Sequence, residues 1–256
     1  MLVVGALARL SVSTALAYRA DVAFDLGSGV LKALGRVAPL FAIFGAAEVV
    51  GGWTFDGAMA VMGLFLVVMG IQGAFVEPNL GAAVEGIRSG TLDLWLMLPV
   101  DAQLLVSARR VAPGALVDLP VGVAMVAMSA VAMGSGVGDV LAATWLLACG
   151  TAALYGVWWL AICTSFVFVR VDNLRFLIWS IADGGRWPSD VFHPAARVLL
   201  TWVVPILVAT SWPAAALAGD WTLGTLGAGG VVAVLFLGGS RWVWLRSLAS
   251  YTSAGG

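Results

Sequence analysis

The sequence has few charged side chains. Only 11% of its 256 residues are Asp, Glu, Lys or Arg, whereas 61% are hydrophobic; ordinary soluble domains carry about 25% charged residues. The mean hydropathy is +1.02. No soluble domain can be separated from a chain of this composition, so we expect an all-α polytopic membrane protein. A membrane helix needs about 20 apolar residues, which leaves room for about six helices.

Residue types that carry most enzyme chemistry are also scarce. The single lysine, Lys32, lies in no GxxxxGK[ST] sequence, so the chain shows no P-loop nucleotide site of its own. The single histidine, His193, has no Cys, His or carboxylate at a recognisable metal-ligand spacing. Cys149 and Cys163 are about four helical turns apart in one apolar run, too far to bridge. We therefore expect no catalytic site, cofactor or metal in this chain, and the net charge of −1 argues against nucleic acid as a partner.

The thirteen Lys and Arg side chains fall into clusters that indicate a membrane topology. Short loops that hold Lys and Arg stay in the cytoplasm. The hydrophilic turns 51–57, 134–139 and 213–222 contain no Lys or Arg. Both termini are therefore predicted to be cytoplasmic, with an even number of spans. The basic clusters are Arg9/Arg19/Lys32/Arg36, Arg88/Arg109/Arg110, Arg170/Arg175 and Arg241/Arg246. Arg186 and Arg197 belong to none of these clusters, so this argument does not place them.

Apolar runs predict where the chain crosses the membrane. Residues 1–30 are expected to lie along the cytoplasmic interface, because Arg9 and Arg19 alternate with apolar residues. The sequence Glu77-Pro78-Asn79 is expected to end the second span, since proline cannot continue helical hydrogen bonding. The clear spans are predicted at about 37–52 (beginning nearer Lys32), 57–75, 111–133, 140–168 and 221–243.

The stretch 172–219 permits two paths. In the first, residues 174–192 lie in the cytoplasm and 197–218 form the fifth span. In the second, 175–192 form that span, and 194–217, broken by two prolines, enter the outer leaflet and return. Hydropathy favours the first path, since a charge at a helix centre costs about 2.5–3.5 kcal/mol on insertion scales. The second requires Arg186 to pair with Asp183 or Asp190.

The most informative local sequence, residues 79–99, lies in the largest clear cytoplasmic loop. Glu85 and Arg88 are three residues apart and would share one face of a short helix. Gly90 is expected to end that helix, and Thr91 can cap the next one. Four leucines are expected to hold the segment against the bundle: Leu92, Leu94, Leu96 and Leu98. Such a charged surface suits docking to a soluble partner, and an ordinary loop between two spans is the alternative.

Seven short runs carry a resemblance to a known family. They are GIRSGTLD at 86–93, LPV at 98–100, RWP at 186–188, VFHP at 191–194, LTWVVP at 200–205, WPA at 212–214 and YTSAGG at 251–256. In this order and spacing, over nearly the whole chain, the sequence resembles ABC-transporter permeases of the type 2 export class, in particular the viologen-exporter-like branch.

The resemblance implies a single permease domain over 1–256, with six transmembrane helices and a re-entrant hairpin before helix 6. This favours the second path through 172–219. The implied parts are an elbow helix at 1–30, helices 1–2 at 31–79, a coupling helix within 80–100, helices 3–4 at 101–170, helix 5 and the hairpin at 171–219, helix 6 at 220–246 and a cytoplasmic tail at 247–256.

The resemblance also implies partners and a mechanism. It assigns Glu85, Arg88, Thr91 and Asp93 to the contact with a cytoplasmic ABC ATPase dimer, which binds the ATP and Mg that this chain does not. ATP-driven closure of the ATPases would rock two permease halves, so a second permease subunit, identical or related, is expected. The implied location is the lipid of a bacterial plasma (inner) membrane.

Charged residues inside membrane helices are candidates for the substrate pathway. Here they are Glu48, Asp118, Asp183 and Arg186. A cavity with surplus carboxylate would suit a cationic, partly aromatic substrate, and the resemblance implies export of a small hydrophobic or cationic compound. The alternatives are that Arg186 is neutralised locally and that Glu48 caps an outer loop. A carrier driven by an ion gradient would also use such carboxylates, but the sequence has no clear internal repeat.

Overall fold

The chain folds into a bundle of membrane-length α-helices with one small β-hairpin. The computed structural model describes residues 19–46, 49–107, 109–166 and 172–249. In chain order the helices and strands are α1 Arg19–Phe44, β1 Val49–Val50, β2 Trp53–Thr54, α2 Phe55–Ile71, α3 Glu77–Ser89, α4 Leu92–Leu96, α5 Ala102–Ser107, α6 Asp118–Met133, α7 Val137–Cys163, α8 Asp172–Ala182, α9 Pro194–Val198, α10 Ile206–Ala209, α11 Ser211–Leu217 and α12 Leu223–Ala249.

Five of the described helices are long and apolar enough to cross a membrane. They are Ala23–Phe44, Phe55–Ile87, Pro113–Met133, Val137–Cys163 and Leu223–Ala249. The prediction of an all-α polytopic membrane protein is confirmed. Residues 19–30, which were assigned to an interfacial elbow, form the first part of α1 and are continuous with the first span; residues 1–18 lie outside the described part.

The first span ends about eight residues earlier than predicted. Its last helical residue is Phe44, because the following apolar residues form a β-hairpin instead. Val49 pairs with Thr54 and Val50 with Trp53. The two intervening glycines, Gly51 and Gly52, have φ values of 59° and 85°, as a two-residue type I′ turn requires.

The second helix does not end at Pro78 as predicted. A π-helical turn, Gln72–Val76, joins α2 to α3, and the helix continues to Ser89. Pro78 has no N–H to offer the carbonyl of Ala74 four residues earlier. That carbonyl instead accepts a hydrogen bond from the backbone N–H of Ala112, at 3.0 Å. The π turn and the N–H of Ala112 therefore remove the cost of the backbone hydrogen bond that Pro78 cannot make, and this cost was the reason for predicting a helix end there.

α2 and α6 pack closely because glycines at their contact leave no side chains between the two backbones. A Cβ on Gly63 would lie 2.9 Å from the carbonyl oxygen of Gly122, and a Cβ on Gly122 would lie 2.5 Å from the carbonyl oxygen of Gly63. In a membrane, where lipid competes equally for apolar surface, such small-residue contacts give helices their tight packing.

A valine in place of Gly122 is therefore expected to force α2 and α6 apart. Overpacking costs 1–3 kcal/mol or more, so the Tm in mild detergent should fall by roughly 5 °C or more. Gly227→Val is the matched control, because nothing lies within 4 Å of a Cβ added there. An equal fall in both variants would contradict the packing argument.

Contacts at the ends of the helices place the two ends of the stretch 190–221 on the same side of the membrane. The loops 45–54 and 134–136 each follow an odd-numbered span, so they share a side, here called the hairpin side. The indole N–H of Trp53 donates to Asp190 at 2.8 Å. Ser135 donates to the Leu217 carbonyl at 2.5 Å, and Trp221 donates to Asp139 at 2.8 Å.

These contacts are the ones that the second of the two paths through 172–219 requires. The chain between Pro194 and Leu217 leaves the hairpin side and returns to it, bent by 74° between Val203 and Ile206. Hydropathy alone favours a single span here; the structure shows two helices with a sharp bend between them, as in a broken span or a re-entrant loop. The crossing before it is short: α8 has eleven residues, extended by 3₁₀ turns at Asp183–Arg186 and Ser189–Val191.

The charges in this short crossing are paired as the second path requires. Arg186 forms an ion pair with Asp183, one turn earlier. Arg197, the other arginine that the basic clusters do not place, forms an ion pair with Asp190 at 3.2 Å on the hairpin side. Local pairing lowers the cost of placing these arginines at membrane depth.

Candidate functional site

The segment 77–112 lies on the side of the membrane opposite the hairpin side, and we call this the loop side. The segment forms a compact set of short helices. The second span extends into it as α3. Gly90, at φ 73°, ends α3 in the left-handed conformation, which confirms its predicted role. The short helices α4 and α5 follow, and a 3₁₀ turn at Pro113–Val117 leads into α6.

Asn79 joins the beginning of this segment to its end. It is 2% exposed, and its amide nitrogen donates to the carbonyls of Phe75, Ser107 and Arg110, at 2.7, 3.2 and 2.8 Å. Its amide oxygen accepts from the backbone N–H of Arg110 at 2.8 Å. A buried amide that satisfies so many backbone groups holds them in one arrangement. Sequence reasoning had treated Asn79 only as part of a helix end.

The predicted docking residues lie close together around the end of α3 and the start of α4. Glu85 is exposed, and Asp93 is half-buried. The side chain of Arg88 lies outside the described part. Thr91 occupies the N-cap position of α4 but makes no side-chain cap bond; its hydroxyl lies 3.0 Å from that of Ser89. Thr91 is therefore at the predicted cap position, but it does not form the predicted capping hydrogen bond.

The four leucines do not act together as predicted. Leu92 is fully buried, whereas Leu94, Leu96 and Leu98 are 64%, 39% and 45% exposed. Alternate residues share a face in a strand, but in a helix of 3.6 residues per turn they point in different directions. Of the four leucines, only Leu92 attaches α4 to the bundle; the others remain on the surface with Met97, which is 81% exposed.

Trp95 is the second attachment of α4, and the sequence did not single it out. Its ring packs on Gly86, where an added Cβ would lie 2.8 Å from the indole. The guanidinium of Arg109 lies 4.3 Å from the ring centroid, a cation–π contact. The small residue at 86 and the cation at 109 are the sequence signals, but they become visible only once α3, α4 and the chain before α6 are brought together.

Two polar contacts tie the same segment to other spans. Arg241 of α12 forms an ion pair with Asp101 and donates to the amide oxygen of Gln103 at 3.0 Å. The hydroxyls of Ser107 and Tyr155, on α5 and α7, are 2.7 Å apart. The segment is thereby attached to the second, fourth and last spans, and a force on it is transmitted to all three.

The Asp101 carboxyl is held in its charged form. Partial burial raises its pKa, but hydrogen bonds from Arg241 and from the backbone N–H groups of Leu104 and Gln103, with the charge of Arg241, outweigh that effect. The net result is a pKa below the usual value. A depressed carboxyl pKa adds stability that is present above the unfolded value of about 3.9 and is lost as the pH falls through the folded value.

Breaking this ion pair should weaken the segment moderately. Both side chains are about one-third exposed, so Arg241→Met is expected to cost up to about 1 kcal/mol at neutral pH. The difference in Tm from the wild type should shrink as the pH falls below the unfolded carboxyl value of about 3.9, and it should disappear below the depressed folded pKa of Asp101. The exchanged pair Asp101→Arg with Arg241→Asp should restore part of the loss; a pH-independent difference would contradict the ion-pair account.

Three of the four candidate substrate-pathway residues lie in one cluster. Asp118, which is buried, forms an ion pair with Arg36 of α1. Arg36 is in turn near enough to Arg186 for the two charges to interact, and Arg186 pairs with Asp183. The cluster joins α1, α6 and the end of α8. Arg36 had been assigned only to a basic loop cluster, and Glu48 lies outside the described residues.

This pairing changes the electrostatic argument for a cationic substrate. Within the cluster two carboxylates meet two guanidinium groups, so it holds no surplus negative charge. In the described ranges, no group of three or more His, Cys, Asp or Glu side chains is arranged to hold a metal ion.

Comparison with known protein families gives one match that spans most of the chain. The model of the family described as "ABC-2 family transporter protein" matches residues 31–255. The match covers the bundle except for residues 19–30 of α1, and it includes the segment 77–112 and the bent pair of helices before α12. No curated protein and no solved structure matches the chain.

Proposed function

Because this chain belongs to the ABC-2 family of transporters, and is the membrane permease component of an ABC transporter, we propose that it serves an exporter whose ATPase docks on α4. The observation that supports this most is the apolar tip of α4. Leu94, Met97 and Leu98 are exposed and lie outside the helices that are long enough to span a membrane. An exposed apolar patch with a polar rim is typical of a protein interface.

The attachments of α4 make it suitable for transmitting force. Leu92 and Trp95 fix it to α3, Asn79 closes the segment, and Arg241 connects the segment to the last span. A movement imposed on the tip would therefore tilt the helices and would not be absorbed by a loose loop. This is the mechanical requirement of alternating access driven by a soluble motor.

We further propose that Glu85, Arg88, Thr91 and Asp93 orient the docked ATPase. Charged groups at the rim of an apolar contact set registration and partner choice more than affinity. The ATPase dimer, and not this chain, would bind ATP and Mg. A second permease subunit, identical or related, would complete the translocation pathway.

The orientation follows from the basic residues of the segment. Arg88, Arg109 and Arg110 all lie on the loop side, and short loops rich in arginine remain in the cytoplasm. We therefore place the loop side and both termini in the cytoplasm and the hairpin side outside, in a bacterial plasma membrane.

For the substrate we propose a small hydrophobic or cationic compound of the kind exported by the viologen-exporter-like branch. A cation would have to compete with Arg36 or Arg186 for the carboxylates of Asp118 and Asp183. Asp118→Asn combined with Asp183→Asn should then change export of such cations, and unchanged export of every transported cation would contradict this assignment.

The experiment for the function is affinity purification of the tagged chain from its native membrane in mild detergent, followed by mass spectrometry. We expect a stoichiometric ABC ATPase, and the presence or absence of a second permease would decide between a heteromeric and a homomeric pair. The charge reversal Glu85→Lys should weaken recovery of the ATPase, whereas Asp220→Lys, on the hairpin side, should not. Recovery of this chain alone would favour a carrier driven by an ion gradient.

A further inference from the structure

A cavity of about 230 Å³ opens between α1, the π turn, the start of α6 and α8. It lies at the loop-side end of the first three spans, since Glu77 and Ala112 form part of its wall. The cavity has an unusual lining for membrane depth because charges of both signs face it. The ionisable residues of its wall are Asp25, Lys32, Arg36, Glu77 and Asp118.

These charges are arranged in order of depth. Asp25, Lys32 and Arg36 all face the cavity from α1, and at 1.5 Å per residue they are spread over about 16 Å along the helix. Asp25 is nearest the loop-side surface, and Glu77, at the end of the second span, shares that level. Lys32 lies deeper, and the pair of Arg36 with Asp118 forms the floor.

The floor pair uses one carboxylate and one cation, which leaves Asp25, Lys32 and Glu77. Within the described ranges none of these three forms an ion pair in the chain. Trp179 completes the wall, and its indole N–H is buried without an acceptor among the described residues. The cavity thus offers a cation, Lys32, in its deeper part and two carboxylates at its mouth.

We propose that this cavity binds the headgroup of a zwitterionic phospholipid with a primary ammonium, of the phosphatidylethanolamine type, from the loop-side leaflet. In such a lipid the phosphate lies next to the acyl chains and the ammonium points toward water. That order matches Lys32 below, and Asp25 and Glu77 above. A purely basic pocket selects anionic lipids, whereas the two carboxylates at this mouth repel them.

The cavity is also accessible from the lipid. The first span is the least buried part of the bundle together with α6 and α12, and Leu31 and Leu34, beside Lys32, are exposed. Acyl chains can therefore lie along α1 while the headgroup enters between α1 and the π turn. The inference does not depend on the ATPase, so its failure would leave the proposed transport function untouched.

The test is native mass spectrometry of the detergent-purified permease with equimolar dioleoyl phosphatidylethanolamine, phosphatidylcholine and phosphatidylglycerol. We expect one retained phosphatidylethanolamine, favoured roughly tenfold over each of the others, which corresponds to about 1.4 kcal/mol. Phosphatidylcholine keeps the charges but has no N–H to donate to Asp25 and Glu77. Phosphatidylglycerol keeps the phosphate but has no ammonium.

Variants separate the two halves of the site. Lys32→Met should lower retention of every lipid phosphate, whereas Asp25→Asn with Glu77→Gln should remove only the preference for phosphatidylethanolamine. Asp220→Asn, an exposed hairpin-side charge, is the control and should change neither. Equal retention of the three lipids by the wild type would overturn the proposal without any variant. So would binding of soluble O-phosphoethanolamine without binding of the lipid.

Discussion

Replacing Leu94 and Met97 together by aspartate should abolish the association of this chain with its ATPase. The two side chains are the most exposed apolar groups of the α4 tip, at 64% and 81%. If they enter a groove on the ATPase, two carboxylates there would be desolvated without partners, at a cost of several kcal/mol. A loss of affinity of more than about 100-fold follows, and it can be measured as the fraction of ATPase recovered with the tagged chain.

The control for this variant is Leu104→Asp. Leu104 is 62% exposed and belongs to the same segment, but it lies on α5 and not on the tip. The permease should remain folded in both cases, because none of the three side chains is buried. Retention of the ATPase by the double variant, or equal loss with Leu104→Asp, would contradict docking on α4.

Asn79→Ala should separate ATP hydrolysis from movement of the helices. The variant removes the amide that contacts the backbone of Phe75, Ser107 and Arg110. Each buried polar group left without a partner costs about 1–3 kcal/mol, enough to loosen the segment while the tip stays intact. We expect faster hydrogen exchange at residues 107–112 and at least tenfold slower ATP-driven transport in proteoliposomes, with the ATPase still bound.

Ser89→Ala is the matched control for Asn79→Ala. Ser89 lies on the same helix, and its exposed hydroxyl donates to the Glu85 carbonyl at 2.8 Å, so its loss leaves no buried group unpaired. Exchange and transport should stay near the wild-type values. If Asn79→Ala also left hydrogen exchange and transport unchanged, the hydrogen bonds of Asn79 would have no role in coupling.

Local sequence features predicted the parts of the fold that depend on neighbouring residues. Gly90 ends α3 because a left-handed residue is needed there, and Arg186 pairs with Asp183 one turn away. The continuation through Pro78 was not predictable in this way. It depends on the N–H of Ala112, which is close in space but distant in the sequence.

The re-entrant hairpin illustrates a different limit. Hydropathy measures only the apolar character of 197–218, which suits a span and a hairpin equally. The decision comes from contacts at its ends, where Trp53 meets Asp190 and Ser135 meets Leu217 on one side of the membrane. The family resemblance favours the second path, and it does so with information about tertiary contacts that composition does not contain.

The sequence places Glu85, Thr91 and Asp93 near one another at the start of α4, but it does not show how α4 is held. Asn79 and Trp95 hold it in place. Their roles require partners on α3, α5 and the chain before α6. The four leucines were expected to pack together against the bundle, but residues two apart in a helix point in different directions. Among the candidate substrate-pathway residues, Asp118 pairs with Arg36 of another span. Local spacing in the sequence could not predict this pair either.

Photocrosslinking from position 97 tests the central claim most directly. A photoreactive amino acid in place of Met97 at the tip of α4, and in a control chain in place of Val131, which is exposed at the hairpin-side end of α6, would be irradiated in native membranes. The account predicts that position 97 captures an ABC ATPase and that position 131 does not. Capture of no ATPase at position 97, or equal capture at both positions, would contradict it.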